Sequence, residues 1–332
     1  MGSRHSDNPH SFQAVNMSIL RRGQNLHVPR QKRDSAGAAI MLALWALFLL
    51  SALVISWALD INSRIAVSSE GTRMLKAEAG ACSGAEVALH PRVNPGSANL
   101  NGQLGNGASY NARITGEGGR LNVNYLAGAA TGEAGVEVLK RYLENKGIDL
   151  NERDTMIDSL LDWIEPNTGL HRLNAPPESD DYHPPHICCF TRIEELKKIA
   201  GWAEFTSTPG WDDDFTVNSA GPIDLAWASR DVLLALPGVT NEMVDRFLQM
   251  RQGPDGIDGT EDDAVFNGLE DALAALGLRP QQVNPRLVSF KDQVFRVVSI
   301  GTSGKATRTV QMVFSRQGAV GAPPQLITWK EF

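Results

Sequence analysis

Cysteine is scarce: Cys82, Cys188 and Cys189 are the only three in 332 residues, too few for the disulfide framework of a small secreted scaffold. Stability must come from packing, with or without the help of a metal. Clustered positive charge is scarce too. The formal net charge is -7, and Lys and Arg are scattered apart from Arg21, Arg22, Arg30, Lys32 and Arg33. The chain as a whole therefore lacks the cation density that phosphate neutralisation requires, and nucleic acid is not an expected partner. Catalytic signatures are missing as well: no G-x-S-x-G, no Walker loop and no H-E-x-x-H, so no enzyme is expected.

Charge is also absent from residues 38–59, AAIMLALWALFLLSALVISWAL. As a helix this run spans roughly 30 Å, the thickness of a bilayer core. Arg30, Lys32 and Arg33 precede it and Asp60 follows it, which predicts a cytoplasmic N-terminus and a bulk on the far side of the membrane. A buried soluble helix rarely runs this long without a charge. A cleaved secretory signal is usually shorter and ends in a small-residue cleavage site, which Ser56-Trp57-Ala58 does not supply. The helical character continues without proline to about Ala88, with Ile61, Ile65, Ser68, Thr72, Leu75, Ala79 and Cys82 at three- and four-residue steps. That spacing predicts one apolar face in need of a partner. His90-Pro91 ends the helix.

The segments SYNARIT and RLNVN, separated by Gly-Glu-Gly-Gly, read as hairpin strands. From about Gly132 to Leu278 short helical patterns follow one another: VEVLKRYLENKG, ERDTMIDSLLDWI, RIEELKKIAG, SRDVLLALPG, TNEMVDRFLQMRQ and LEDALAALGL. Several end at glycine. The tail returns to alternation around Phe295, Val297 and Ser299 and again in TVQMVFS. Strands on both sides of a helical block predict an α+β fold: a long N-terminal helix on a small antiparallel sheet, interrupted by a large α-helical insertion. The expected divisions are residues 1–37, 38–88, 89–125, 126–280 for the insertion, and 281–332.

A short basic segment, Gly37, an uninterrupted apolar helix and an amphipathic continuation into a small sheet together resemble a prepilin. The resemblance implies that a prepilin peptidase cuts between Gly37 and Ala38 and that the new N-terminus is methylated. The leader is long for the family, so translation starts at Met17 or the leader is extended from Met1. Major pilins carry Glu at the fifth mature position, where this chain has Leu42. A carboxylate in hydrocarbon is costly unless paired, and in the family it meets the N-terminus of a neighbouring subunit. The member that lacks it is the K-type minor pseudopilin of type II secretion, which caps the tip.

Other segments resemble that family in order along the chain: Gly119-Arg120-Leu121-Asn122-Val123-Asn124; Asp162-Trp163-Ile164-Glu165, with Glu for a usual Asp; Glu178 with Asp180-Asp181-Tyr182; Ile193 to Gly201; and Ile223-Asp224-Leu225 with Val232 to Gly238. The resemblance implies a structural assembly protein of the bacterial inner membrane and periplasm. Its implied partners are other minor pseudopilins along the N-terminal helix, the prepilin peptidase, and a secreted substrate or the outer-membrane channel. The alternatives are a minor pilin of a type IV pilus or DNA-uptake system, and a membrane-tethered periplasmic enzyme.

Calcium takes six to eight oxygens from carboxylates, amides and carbonyls. Two acidic stretches have that chemistry, each set against an ordinary solvated loop. The first is Glu165, Asn167, Glu178, Asp180 and Asp181, in the part of the insertion where the resemblance implies calcium. The second is Asp255, Asp258, Glu261, Asp262 and Asp263, where glycines permit tight turns and the run resembles the calcium loop of the major pseudopilin. His183, His186, Cys188 and Cys189 have zinc-type donors without zinc-type spacing, and read as loop histidines with buried or oxidised thiols. LLALPGVTNEMVDRF resembles a helix-hairpin-helix, yet Glu242 and Asp245 stand where DNA binding needs basic residues. It reads as packing.

Overall fold

The computed structural model describes residues 35–105, 107–166, 171–260, 262–316 and 323–332. The chain divides into two compact units, residues 1–64 and 65–332. Helix α1, Ser35–Leu89, contributes to both. In the first unit every side chain described, from Gly37 to Arg64, is exposed, and Arg64 pairs with Asp60 one turn earlier at 2.9 Å. Among the described residues this is the one helix long and apolar enough to cross a membrane.

In the second unit α1 buries Ala77, Ala81, Ala85 and Ala88 completely, with Gly80 and Gly84 on the same buried face. The expected face is therefore corrected. Ile65, Val67 and Leu75 stand 60%, 70% and 68% exposed, Ser68, Thr72 and Ala79 are exposed, and Cys82 is half-buried. Closeness of approach decides between the two faces. A Cβ at Gly301 of the sheet would lie 1.9 Å from the Ala77 carbonyl oxygen, and one at Gly84 would lie 2.7 Å from the Tyr110 ring. Only small side chains allow that contact.

The sheet has strand order β1-β2-β7-β8-β9, all antiparallel: β1 Asn101–Gln103, β2 Ser109–Gly116, β7 Val294–Ser303, β8 Ala306–Ser315 and β9 Gln325–Glu331. Strand β9 was not anticipated. Ile114, Val297, Met312 and Phe314 meet the alanines of α1 in one core.

Strands β2 and β7 are neighbours with Gly116 opposite Phe295, and the chain between those two residues forms the insertion. It holds β3 Leu121–Asn122, α2 Val123–Leu126, α3 Glu133–Asn145, α4 Leu150–Ile164, α5 Ala203–Ser207, β4 Phe215–Thr216, β5 Ile223–Asp224, α6 Arg230–Leu234, α7 Asn241–Arg251, α8 Leu269–Leu276 and β6 Val288–Ser289. The segment RLNVN does not form a hairpin with SYNARIT. Its two strand residues pair in parallel with β4, and the chain then turns into α2. Asn122 caps that helix by accepting from the Tyr125 N–H at 3.1 Å, as a short polar side chain at that position does. The segment IEELKKIAG is a 3-10 turn over Ile193–Lys198 rather than an α-helix. A second, larger core fills the insertion around Leu160, Trp202, Phe215, Val232 and Phe247.

Glu117 joins the insertion to the sheet. It is fully buried and accepts two bonds from the Arg296 fork on β7, at 2.7 and 2.8 Å. Arg120 reaches it at 3.3 Å, and the Thr216 hydroxyl on β4 donates to it as well. Burial, then the like charge of Arg296, lowers the Arg120 guanidinium to about 10.

Candidate functional site

The residues expected to be processed, Gly37 and Ala38, and the position of the absent carboxylate, Leu42, lie on the exposed first unit of α1, where Leu42 is 71% exposed. The calcium candidates lie in the second unit.

In the acidic loop after α7, Gly253, Gly256 and Gly259 have φ of +62°, +68° and +87°, a backbone region that glycine enters without strain. These turns bring one ligand oxygen each of Asp255, Asp262 and Asp263 within 4.8 Å of one another. Asp262 accepts from the Asp255 N–H at 3.1 Å and the Thr260 hydroxyl at 2.7 Å, bonds that hold its carboxyl below the usual range, the hydroxyl contributing most. Asp263 accepts from the Gly259 N–H at 2.7 Å. An ionised carboxylate has about four lone-pair sites, so each retains capacity for a cation. Three clustered negative charges also favour one.

Asp258 has a different task. Arg251, 3% exposed, donates to both its oxygens at 2.8 and 3.0 Å and to the Leu225 and Ala228 carbonyls at 3.0 and 2.8 Å. Its own carbonyl accepts from Arg113 of β2 at 3.2 Å. Asp258 anchors the loop against the sheet. Glu261 lies outside the described residues.

At the end of α4 the first candidate set is arranged around histidines. Glu178 faces His186 at 3.0 Å and His183 at 3.6 Å, and the His186 bond lowers the Glu178 pKa. His186 also meets the Glu165 carbonyl oxygen at 3.1 Å, while the Glu165 carboxylate is 4.0 Å from Arg172. Burial opposes the His186 charge, but Glu178, the Glu165 carbonyl and Asp162 outweigh it and raise its pKa. Asp180 and Asp181 are exposed, and Asn167 lies outside the described residues. Cys188 and Cys189 are exposed and bonded to each other, leaving Cys82 as the free thiol.

Sequence reasoning did not single out the burial of Asp162. It is 1% exposed, and neither carboxylate oxygen has a hydrogen-bond partner among the described residues. The His171 Nδ1 lies 3.4 Å from the Asp162 Oδ2. Burial, with the Asp162 charge adding to it, raises the Tyr182 hydroxyl pKa. A buried carboxylate without partners is costly, and a cation would relieve that cost. The orphaned oxygens of Asp162 stand apart from the acidic loop after α7, where three carboxylates converge.

No protein-family model and no curated protein matches the sequence. Among solved structures, the chain is similar to one in the crystal structure of the GspK-GspI-GspJ complex from the type 2 secretion system of enterotoxigenic Escherichia coli. The TM-score is 0.52 at 13% identity, over 82% of this chain and 99% of that one. The chain has the fold of a subunit of that complex. The α+β fold read from the sequence, a long N-terminal helix on an antiparallel sheet interrupted by a helical insertion, agrees with it.

Proposed function

We propose that this chain is a K-type minor pseudopilin of a type II secretion system, a structural and non-catalytic protein that assembles at the tip of the periplasmic pseudopilus. The likeness across nearly the whole of a GspK-GspI-GspJ subunit carries the reading. The apolar first part of α1 is its single inner-membrane anchor, with the basic segment Arg30, Lys32 and Arg33 on the cytoplasmic side. Prepilin peptidase cuts after Gly37, and Ala38 is methylated. Leu42 has no carboxylate with which to pair a subunit ahead of it, as suits a terminal position. The exposed large side chains of α1, Ile65, Val67 and Leu75 among them, pack against the helices of neighbouring minor pseudopilins. The insertion stands at the tip, where it meets secreted substrate or the outer-membrane channel.

Mass spectrometry of the mature N-terminus tests the reading. A methylated Ala38 supports it, and an intact leader on protein assembled in the membrane overturns it. Crosslinking that placed the insertion at the pseudopilus base would refute the tip position.

Calcium is the proposed ion of the loop after α7, held by Asp255, Asp262 and Asp263 with backbone carbonyls and water completing an oxygen shell. It would fix the loop that Asp258 and Arg113 place on the sheet.

A further inference from the structure

Where the turn after α1, the insertion and the sheet come together there is an open cavity of about 530 Å³, a size typical of ligand pockets. Four aromatic rings line it, those of Trp227, Phe266, Phe290 and Phe295. Their packing holds them in place from behind. Trp227 is seated against Gly116, where a Cβ would fall 2.1 Å from the ring. Phe266 meets Phe290 edge to face at 6.2 Å and stacks on Phe247 at 5.7 Å, and Phe295 stacks on Phe314 at 5.7 Å. Val265, on the same lining, is 83% exposed.

Charge decides what such a cavity would take. Two cations line it, and neither has a carboxylate partner among the described residues. Arg316 lies over the Phe295 and Phe314 rings at 5.1 and 5.2 Å and gives one nitrogen to the Ala88 and Val93 carbonyl oxygens, at 3.2 and 2.7 Å. Its Nε is buried and donates to no acceptor among the described residues. Burial lowers its pKa, with no acidic group acting against it. Lys291 stands 5.3 Å over Phe290. A half-buried guanidinium without a counter-charge is costly, and an anion beside it relieves the cost. The carboxylates on the lining are turned to their own backbone. Asp292 accepts from the Gln293 and Ala220 N–H groups at 2.6 and 3.3 Å, and Asp263 from the Gly259 N–H at 2.7 Å. A cationic ligand would find the faces of Phe290 and Phe295 already taken by Lys291 and Arg316. The guanidinium fork matches a carboxylate, and the rings match an apolar body next to it. Asn94 and Gln293, exposed on the same lining, carry side-chain amides that pair with the N–H and C=O of a peptide bond.

We propose that this cavity binds the C-terminal residue of a protein partner, its carboxylate held by Arg316 and Lys291 and its large apolar side chain placed among Trp227, Phe266, Phe290 and Phe295. Capture of a chain end by its carboxylate is a recurring mode of peptide recognition. The inference does not depend on the pseudopilus role.

A short fluorescein-labelled peptide ending in phenylalanine with a free carboxylate, titrated with the full-length chain in detergent and followed by polarisation, tests this. Saturable binding is expected. It should weaken by about 10-fold or more when the peptide carboxylate is replaced with an amide, and again in Arg316→Gln, the factor that a hydrogen bond between charged groups contributes. Val265→Glu should weaken it about threefold and Val265→Lys strengthen it by a similar factor, through the charge placed at the rim. Val265 is exposed enough to accept both changes, so this pair decides the matter should Arg316→Gln fail to fold. Arg92→Gln, an exposed cation away from the lining, should bind as the parent does. An amide peptide that binds as tightly as the acid, or a Val265 pair without a difference, overturns the proposal. So does 3-phenylpropionate that competes as well as the peptide itself, because the cavity would then be a site for a small acid.

Discussion

Replacing Glu117 with Gln preserves shape and removes one charge from the joint between the insertion and the sheet. The parent carboxylate is fully buried, while Arg296 and Arg120 are 11% and 18% exposed. The variant leaves both guanidinium groups with a single neutral acceptor between them. Breaking a buried pair by removing one partner costs about 3–5 kcal/mol, chiefly because the remaining charge is uncompensated. The Gln oxygen still accepts one bond, so the lower figure applies, about 3 kcal/mol. For a folded unit of this size that is a fall in Tm of about 6 °C. Thermal unfolding of the full-length chain in detergent, followed by circular dichroism, reads it directly. The reasoning makes a sharper demand on a double-mutant cycle. Arg296→Met added to Glu117→Gln should recover part of the loss, because a neutral pair has no orphaned charge of its own. A single variant that melts within 1 °C of the parent, or a double variant whose losses simply add, refutes the argument.

Gly301→Ala tests the contact between α1 and the sheet. The new methyl would fall 1.9 Å from the Ala77 carbonyl oxygen and 2.3 Å from the Ala81 nitrogen, so the helix must move away. A loss of about 3 kcal/mol is expected from such overpacking, read as a lower Tm; an unchanged Tm would show that the helix does not lie there. Tyr142 donates to Asp214 at 2.9 Å, and burial, then the Asp214 charge, pushes its pKa far above the ordinary 10.0. A folded pKa raised above the unfolded one means that this stability is complete below about pH 10 and is lost as pH rises beyond it. Tyr142→Phe should therefore flatten the alkaline decline in Tm and cost about 1.5 kcal/mol at neutral pH for the lost bond to a charged acceptor. Chelator should lower the melting temperature of calcium-loaded parent protein, by the equivalent of about 2.7 kcal/mol for an ion at a hundred times its Kd. Asp262→Asn/Asp263→Asn should remove that difference, and a parent chain indifferent to both calcium and chelator would rule out the loop.

Much of the architecture is legible because its signals are local. Helix α1, the strands β2, β7 and β8, and helices α3, α4, α7 and α8 all follow from periodicity and end signals within one window of sequence. The packed face of α1 does not, because alanine and glycine carry little hydrophobic signal. Their selection depends on the backbone of Gly301 arriving from the far end of the chain. Strand β9 has the branched and aromatic residues of a strand in Gln325-Leu326-Ile327-Thr328-Trp329, a signal available to sequence reading.

The sites divide in the same way. An acidic loop rich in glycine is visible in composition, but composition does not distinguish Asp258 from Asp262. Only the burial of Arg251, a residue type that is usually exposed, assigns Asp258 to the frame and leaves the others for an ion. The burial of Asp162 is not legible either, since nothing in Asp-Trp-Ile-Glu announces a carboxylate sealed from water. His171 and His186 acquire carboxylate partners only when the segment after α4 folds back.

The pairing of Gly116 with Phe295 has a consequence for the order of events during synthesis. Strands β2 and β7 form, in topological terms, a hairpin whose turn is the entire insertion, whereas β7 and β8 are joined at once through Gly304 and Lys305. Closing a long flexible connection costs more entropy than closing a short one, and contacts of high sequence separation form slowly. A connection that has already collapsed around its own core brings its two ends together before the strands meet. Strand β2 emerges early and waits for a late partner, so collapse of the insertion becomes the step that lets the sheet, and with it the seat for α1, come into being.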